Sequence, residues 1–177
     1  RLVNVKWTAR TLRHLFRLYA DKDIEEAEWY KNYYYSNYHD DWYKSLFKNC
    51  KGITGEVTPA YSILKEADIK EMYQSLGEVK IIFMVRNPVE RAWSSFKYHY
   101  KLKKSTLAKK DYSLWKNYAN SNYQTMRSNY IQTIDNYLKV FGEGKLLLGF
   151  YDAITDQPDI LLKQIVNHLG GEESEVD

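Results

Sequence analysis

Cysteine is nearly absent from this 177-residue chain, with Cys50 its only one. That excludes an internal disulfide framework and a CxxC-type zinc site. The histidines, His14, His39, His99 and His168, are too scattered to offer metal-ligand spacing. No apolar run approaches the roughly 18 residues of a membrane span, and the start carries no signal-peptide pattern. No Asn-x-Ser/Thr sequon occurs among the asparagines, which weighs against a secretory glycoprotein. Charge of one sign is scarce too: 26 Lys and Arg against 23 Asp and Glu leave a net +3. Any anion site must then be local rather than a property of the whole surface.

What is present suits a folded domain. Hydrophobic residues make up 44% and charged residues 28%, and the length fits one domain. Tyrosine is abundant at 17, bringing aromatics to 16%. Leu2 to Val5 reads as a short strand, followed by a helix whose apolar face is Leu12, Leu15, Phe16 and Tyr19. Residues 21–43 are polar, tyrosine-rich and without clear period, so they read as loop plus short helix. Ile53 to Val57 is a weak strand signal. Ile69, Met72, Tyr73 and Leu76 mark a helix ended by Gly77.

Lys80 to Val85 is a continuous apolar run of the kind buried on both faces of a parallel sheet. Pro88 suits the first turn of a helix, on which Val89, Ala92, Trp93, Phe96 and Tyr100 share a face. Residues 101–125 read as irregular apart from a short helix near Leu114–Ala119. Ile131, Ile134, Leu138 and Phe141 form a further stripe ended by Gly142. Lys145 to Phe150 reads as a second buried strand, and Leu162, Ile165, Val166 and Leu169 as a last helix before a frayed acidic tail. Strands alternating with helices predict an α/β fold, a parallel sheet of about four strands flanked by helices. Such sheets bind ligands at the carboxyl ends of their strands.

Three strand ends carry suggestive chemistry. After the first comes Lys6-Trp-Thr-Ala-Arg-Thr11, where cations, hydroxyls and helix N-terminal N–H groups suit a phosphate. A plainly capped helix with Lys6 in solvent accounts for the same residues. After the second, Glu56 stands at the end of an expected strand, where a carboxylate is either paired or functional. After the third come Arg86, Pro88, Arg91 and Ser94, an arginine and a hydroxyl beside a helix N-terminus, suited to a phosphate. An ion pair of Arg86 with Glu90 or Glu56 is the alternative. Two anion sites flanking a carboxylate suggest a ligand with phosphates at both ends of a nucleoside.

The combination Gly55-Glu-Val-Thr-Pro-Ala-Tyr61, an apolar strand, then Arg86-Asn-Pro-Val-Glu-Arg-Ala-Trp-Ser94, resembles the sulfotransferases that use PAPS, in their heparan-sulfate-type and bacterial branch. Ser128-Asn-Tyr130, Asp152, Asp156-Gln-Pro158 and Leu169-Gly170 extend the resemblance, which runs from about Lys6 to Gly170. It implies a P-loop-like sheet and sulfuryl transfer from PAPS, leaving PAP, to a hydroxyl or amine acceptor. It implies that Arg86 and Ser94 grip the 3′-phosphate, and that Glu56 is the general base. Lys6, catalytic as well as cofactor-binding, would stand in the 5′-phosphosulfate loop with Thr8, Ala9, Arg10 and Thr11. Glu28 falls where many members have a Glu and an aromatic pair near the substrate. No metal is needed for this chemistry.

This sequence departs from the pattern in three places. Trp7-Thr8-Ala9 replaces a glycine- and threonine-rich loop, so side chains crowd a phosphate that needs close backbone approach. Val57 stands where a lysine is frequent. A late glycine- and basic-rich loop is missing after Gly171, so the expectation is one sulfotransferase-like domain over 1–177 without its cofactor-closing loop. The lysines between Lys97 and Lys110 read as a strip for an anionic glycan or as a solvated loop. The tyrosine-rich 29–43 stretch reads as a sugar cleft or a packed lid. Competing functions are a degenerate fold that binds PAP without turnover, a small-molecule kinase, and a binder of RNA or another anionic polymer. The kinase lacks its Gly-rich loop and metal-holding Asp, and the net charge disfavours the polymer binder. The expected compartment is the cytoplasm, with a Golgi-lumen domain as the alternative.

Overall fold

The computed structural model describes residues 5–100 and 112–172, with side chains from Trp7 onward. The chain divides into two compact units, Arg1–Glu56 and Val57–Asp177.

The first unit is helical. α1 (Val5–Ala20) ends at Lys22, whose φ of 61° turns the chain sharply into α2 (Ile24–Tyr35). The Asp23 carboxylate caps α2 by accepting from the Glu26 N–H, and Glu25 and Glu26 in the first turn favour the positive end of its dipole. α3 (Asp40–Ser45) is capped by His39, whose ring nitrogen accepts from the Trp42 N–H. Ala27, fully buried, gives α1 and α2 a close approach, and Leu18 and Leu46 complete a small core. Residues 21–43 are thus mostly helix rather than loop. Their pattern escapes an apolar-period test because the i,i+4 pairs are aromatic: Trp29 stacks on Tyr33 at 5.2 Å and Tyr30 tilts on Tyr34 at 4.4 Å.

Neither expected strand of this stretch is seen among the described residues. Val5 opens a helix rather than closing a strand, and the rest of Leu2 to Val5 lies outside the described residues. Residues 53–57 are irregular and belong to no sheet, and all five are exposed. With Gly52 and Gly55 in the segment and little apolar surface to bury, no partner edge rewards pairing.

In the second unit a 3₁₀ turn (Pro59–Ile63) leads to α4 (Glu66–Leu76), whose end at Gly77 needs the glycine's φ of 72°. β1 (Ile81–Val85) runs into α5 (Pro88–His99), with the Asn87 side chain accepting from Val89 and Glu90 N–H. α6 (Tyr112–Ala119), α7 (Asn122–Ser128) and α8 (Tyr130–Phe141) follow, then β2 (Leu146–Phe150), α9 (Ala153–Asp156) and α10 (Pro158–Leu169). β1 and β2 pair in parallel, Ile81 opposite Leu146 through Val85 opposite Phe150. Among the described residues the sheet therefore has two strands, where about four were expected. The β1 residues are half-buried rather than buried on both faces, as befits a strand with one hydrogen-bonded neighbour.

The core joins α4, α8 and the sheet: Ile69, Tyr137 and Phe141, with Met72, Val79, Ile81 and Leu146 against them. On α8 the buried face only partly coincides with the predicted apolar stripe, sharing Phe141 with it and leaving Ile134 and Leu138 half-buried. Ile131 is 76% exposed, while Thr133, Asn136, Tyr137 and Phe141 are buried. A second cluster holds α5 and α6 together, with Phe96 buried against Trp93, Trp115 and Tyr118. Leu161 of α10 sits on Gly149, where a Cβ would come within 2.5 Å of the Met84 sulfur. Among the described residues no helix is long and apolar enough to cross a membrane.

Candidate functional site

The carboxyl end of β1 presents one weakly partnered guanidinium, that of Arg86. Arg86 follows the last strand residue and is held at half-burial by the ring of Tyr151, 4.2 Å from its guanidinium carbon. Tyr151 lies there because its N–H donates to the Val85 carbonyl at 2.8 Å, carrying the parallel ladder one residue past β2. A guanidinium stacked within about 6 Å of an aromatic face is oriented by it without spending its N–H donors. One Arg86 Nη reaches Glu90 at a long 3.4 Å, and that carboxylate is mostly exposed. Such a pair contributes little and is easily displaced. The Arg86 Nε is buried with no partner. The expected alternative, an Arg86–Glu90 pair, is thus present, and it leaves the guanidinium most of its hydrogen-bonding capacity.

Ser94 lies on the same helix, α5, with its residue exposed. Arg91 is committed differently. One Nη donates to the Gln124 carbonyl (3.3 Å), the Gln124 side-chain oxygen (3.0 Å) and the Ser128 hydroxyl (2.8 Å). Gln124, almost wholly buried, passes the network on to Ser95, whose hydroxyl meets that of Tyr118 at 2.8 Å. This network locks α5 to α6 and α7 and fixes the direction in which the α5 N-terminus points. Sequence reading placed Arg91 and Ser94 on one face but missed Gln124, a buried glutamine with no apolar period to reveal it. Tyr151 was missed as well; an aromatic just past the second strand was the available signal.

In the first unit, residues 6–11 form no loop ahead of a helix. Lys6, Thr8, Ala9, Arg10 and Thr11 all lie within α1. From Ala9 onward, backbone N–H groups are more than a turn inside the helix, so they bond to its own carbonyls. The Thr11 hydroxyl is taken: it bonds to the Trp7 and Thr8 carbonyls at 3.3 and 3.0 Å and accepts from Tyr35 at 2.8 Å. This is a correction to the expected phosphosulfate loop, and the cause is the strong amphipathic period beginning at Val5. Arg10 is exposed.

Glu56 is exposed on irregular chain rather than at the end of a buried strand. Glu28 is exposed too, its carboxylate accepting from Tyr19 at 2.6 Å and Lys31 at 3.2 Å. The Tyr19 hydrogen bond, with Lys31 helping, holds that carboxyl below its ordinary range and pushes the Tyr19 phenol up. Of the lysine-rich 97–110 strip, residues 101–110 lie outside the described residues; Lys97 and the exposed Tyr98 end α5, and the His99 ring packs on Tyr100 and Tyr118. Among the described residues no cluster of His, Cys, Asp or Glu could hold a metal ion.

The donor set fits a PAPS-type ligand at one point and not at another. Arg86, with a buried unpartnered Nε, a displaceable partner and a hydroxyl-bearing helix beside it, suits a phosphate. The helical 6–11 segment does not offer the backbone cradle that a phosphosulfate loop requires.

Comparison with known proteins places this geometry. The family described as sulfotransferase domain matches residues 64–177. Arg86 and Ser94 fall inside that stretch; Lys6, Thr8, Ala9, Arg10, Thr11 and Glu56 fall outside it. A crystal structure of a sulfotransferase from Alicyclobacillus acidocaldarius shares the fold, with a TM-score of 0.61 and 24% identity over 81% of this chain. The aligned part spans 61% of that protein's length. A search of the curated proteins finds no match to this sequence. With β1, the Arg86 turn and the helices through Leu169 all inside the matched stretch, the chain belongs to the sulfotransferase domain family.

Proposed function

We propose that the protein is a sulfotransferase that takes its sulfuryl group from PAPS and passes it to a hydroxyl or amine. The carrying observation is Arg86: a guanidinium at the end of β1, oriented by Tyr151, with a buried Nε lacking a partner. In this reading Arg86 forks onto the 3′-phosphate of the nucleotide, releasing Glu90, and the Ser94 hydroxyl adds a further donor. Glu56 accepts the proton of the incoming acceptor, a contribution of typically about 10²–10⁴-fold for a positioned base. PAPS, when bound, supplies an activated sulfuryl group on a 5′-phosphate leaving group. The side chains of Lys6, Thr8 and Arg10 are assigned to the 5′-phosphosulfate end, where cationic charge favours the departing phosphate. Thr11 drops out of that set because its hydroxyl is committed to α1–α2 packing, and Ala9 has no side-chain donor to offer. The acceptor class is proposed as carbohydrate, on the exposed aromatic rings Trp29, Tyr33 and Tyr38 of the first unit, and the compartment as cytoplasmic.

The test uses radiolabelled PAPS with three acceptors of different chemistry: 2-naphthol, tyramine and an anionic oligosaccharide. Transfer to one of them by the wild-type protein, and loss of transfer with retained PAP affinity in Glu56→Gln, is the expected result. Unchanged turnover in Glu56→Gln would remove Glu56 from the base role. PAP binding without transfer to any acceptor would favour the degenerate-fold reading, on which the helical 6–11 segment is the specific supporting observation.

A further inference from the structure

The segment that follows Glu56 is held in an unusual way. Residues 59–64 belong to no sheet, and a 3₁₀ turn bonds few of its own carbonyls. Four of those carbonyls accept from side chains far along the chain, those of Pro59 and Tyr61 in addition to local bonds from the Ser62 hydroxyl and the Leu64 N–H. Arg127 Nη1 donates to the Pro59 carbonyl at 2.9 Å, and the Tyr137 hydroxyl to that of Tyr61 at 3.1 Å. The Thr133 hydroxyl donates to Ser62 at 2.7 Å and the Asn136 amide to Leu64 at 3.3 Å. Thr133, Asn136 and Tyr137 are all buried on one face of α8, and Arg127 lies in α7 just before it.

Each donor is itself arranged for the task. The Arg127 guanidinium rests on the Tyr123 ring, 4.6 Å away. Gln132 donates to the Asn136 side-chain oxygen at 2.8 Å, which turns the Asn136 NH2 toward Leu64. Burial keeps the Tyr137 phenol neutral, its pKa pushed up to about 12, so its hydroxyl remains a donor.

Glu56 makes no hydrogen bond or ion pair of its own among the described residues and is exposed. Its position is therefore set by the chain on either side. Two residues, Val57 and Thr58, separate it from the anchored Pro59, three Cα–Cα steps and a reach of roughly 10 Å at full extension. We propose that Arg127, Thr133, Asn136 and Tyr137 form a latch on the carbonyls of residues 59–64, and that these four are positioning residues for Glu56. The proposal rests on the sulfotransferase reading above, in which Glu56 is the base. It assigns a purpose to the polar face of α8, which an apolar face would otherwise occupy. A core needing only cohesion would use leucine or valine at Thr133 and Asn136.

The experiment compares Thr133→Val, Tyr137→Phe and the double variant with wild type. Each removes a donor and leaves the packing volume nearly unchanged. Hydrogen–deuterium exchange is followed on peptides covering 52–64 and, as internal control, β1 and the α5 N-terminus. The expected result is faster exchange at 52–64 in the double variant, with the control peptides and PAP affinity unchanged. With the acceptor that takes label from PAPS, kcat is expected to fall roughly tenfold or more while the KM for PAPS holds, since small displacements of a catalytic group cost that much. Tyr137→Trp, which restores a donor, is not expected to rescue; Thr133→Ser, which keeps the hydroxyl, is.

Unchanged exchange at 52–64 overturns the latch whether or not any acceptor is found. Faster exchange with unchanged kcat overturns the positioning role. Should Glu56→Gln retain full turnover while the exchange result holds, the base assignment fails and the latch on residues 59–64 stands as a structural finding alone.

Discussion

Arg86 carries five N–H donors, and the structure gives it one long contact to an exposed carboxylate and an aromatic ring to lie on. Arg91 and Arg127 also bury an unpartnered Nε, but each spends an Nη on fixed protein acceptors, whereas the partner of Arg86 is exposed and displaceable, which suits an arriving anion. Arg86→Ala is therefore expected to weaken PAP binding by roughly 10- to 100-fold, the range for hydrogen bonds to a charged group, as read by calorimetry. Arg86→Lys should recover part of that loss, because it keeps charge but not the planar fork. An affinity equal to wild type in Arg86→Ala would remove the arginine from the site. Gly149 gives a contrasting residue-scale prediction. A Cβ there meets the Met84 sulfur at 2.5 Å and Leu161 at 3.3 Å. Gly149→Ala should cost about 1 kcal/mol, the low end for overpacking because the flexible end of Met84 can swing aside, read from the shift in denaturant midpoint, with PAP affinity per folded molecule unchanged. At this scale sequence reading placed Arg86 at the end of a strand, because it stands directly after a run of apolar residues, and Ser94 on the helix that follows. Gln124 and Asn136 were not legible, since buried polar side chains break the very periodicity by which burial is recognised.

Elements show the same division. All three prolines, Pro59, Pro88 and Pro158, stand at the first position of a helical segment, where a missing N–H costs nothing. That made the start of α5 legible. The two strands with dense apolar runs formed where expected, and Ile53–Val57 did not, because it has little apolar surface to bury; Val5, the one described residue of the first expected strand, belongs to a helical period instead. α2 was hidden by aromatics that pair at i,i+4, Trp29 with Tyr33 exposed and Tyr30 with Tyr34 half-buried. The tie between α10 and the sheet yields a pH prediction. His168 Nε2 lies 3.1 Å from the Ile81 carbonyl, and burial, with Lys80 adding its charge, lowers the imidazole's pKa from its ordinary value. Protonation thus favours the unfolded chain, in which the group titrates near pH 6.5. Stability should be fully present above about pH 6.5 and decline as pH falls from there through the lower folded-state value. Chemical denaturation between pH 7.5 and 5 should show the slope, and His168→Gln, which can keep the hydrogen bond but not titrate, should flatten it. An identical slope in both proteins would place the pH sensitivity elsewhere.

For the molecule as a whole the small net charge of +3 becomes an argument about selectivity. A polyanion gains affinity by releasing counterions over many contacts, and a nearly balanced chain offers little of that. A nucleotide carrying a 3′-phosphate gains instead from one preorganised cation. The two modes separate in a thermal-shift titration with PAP, ATP and single-stranded RNA. PAP at about 100 times its dissociation constant should add about 2.7 kcal/mol. For a chain of this length that raises the melting temperature by roughly 5–10 °C. ATP has no phosphate at the 3′ position, so under the proposed function Arg86 gains nothing from it and the shift should be much smaller. RNA at 150 mM salt should leave the melting temperature unchanged. The Arg86→Ala variant should lose the PAP shift and keep its own melting temperature, because the residue's partners in the free protein are a weak surface carboxylate and a ring face. If ATP matched PAP, the 3′-phosphate would not be what the β1 end reads, and a kinase-type nucleotide site would take its place. If RNA produced the larger shift, the lysine-rich strip beyond α5 would outweigh Arg86 as the anion-binding element.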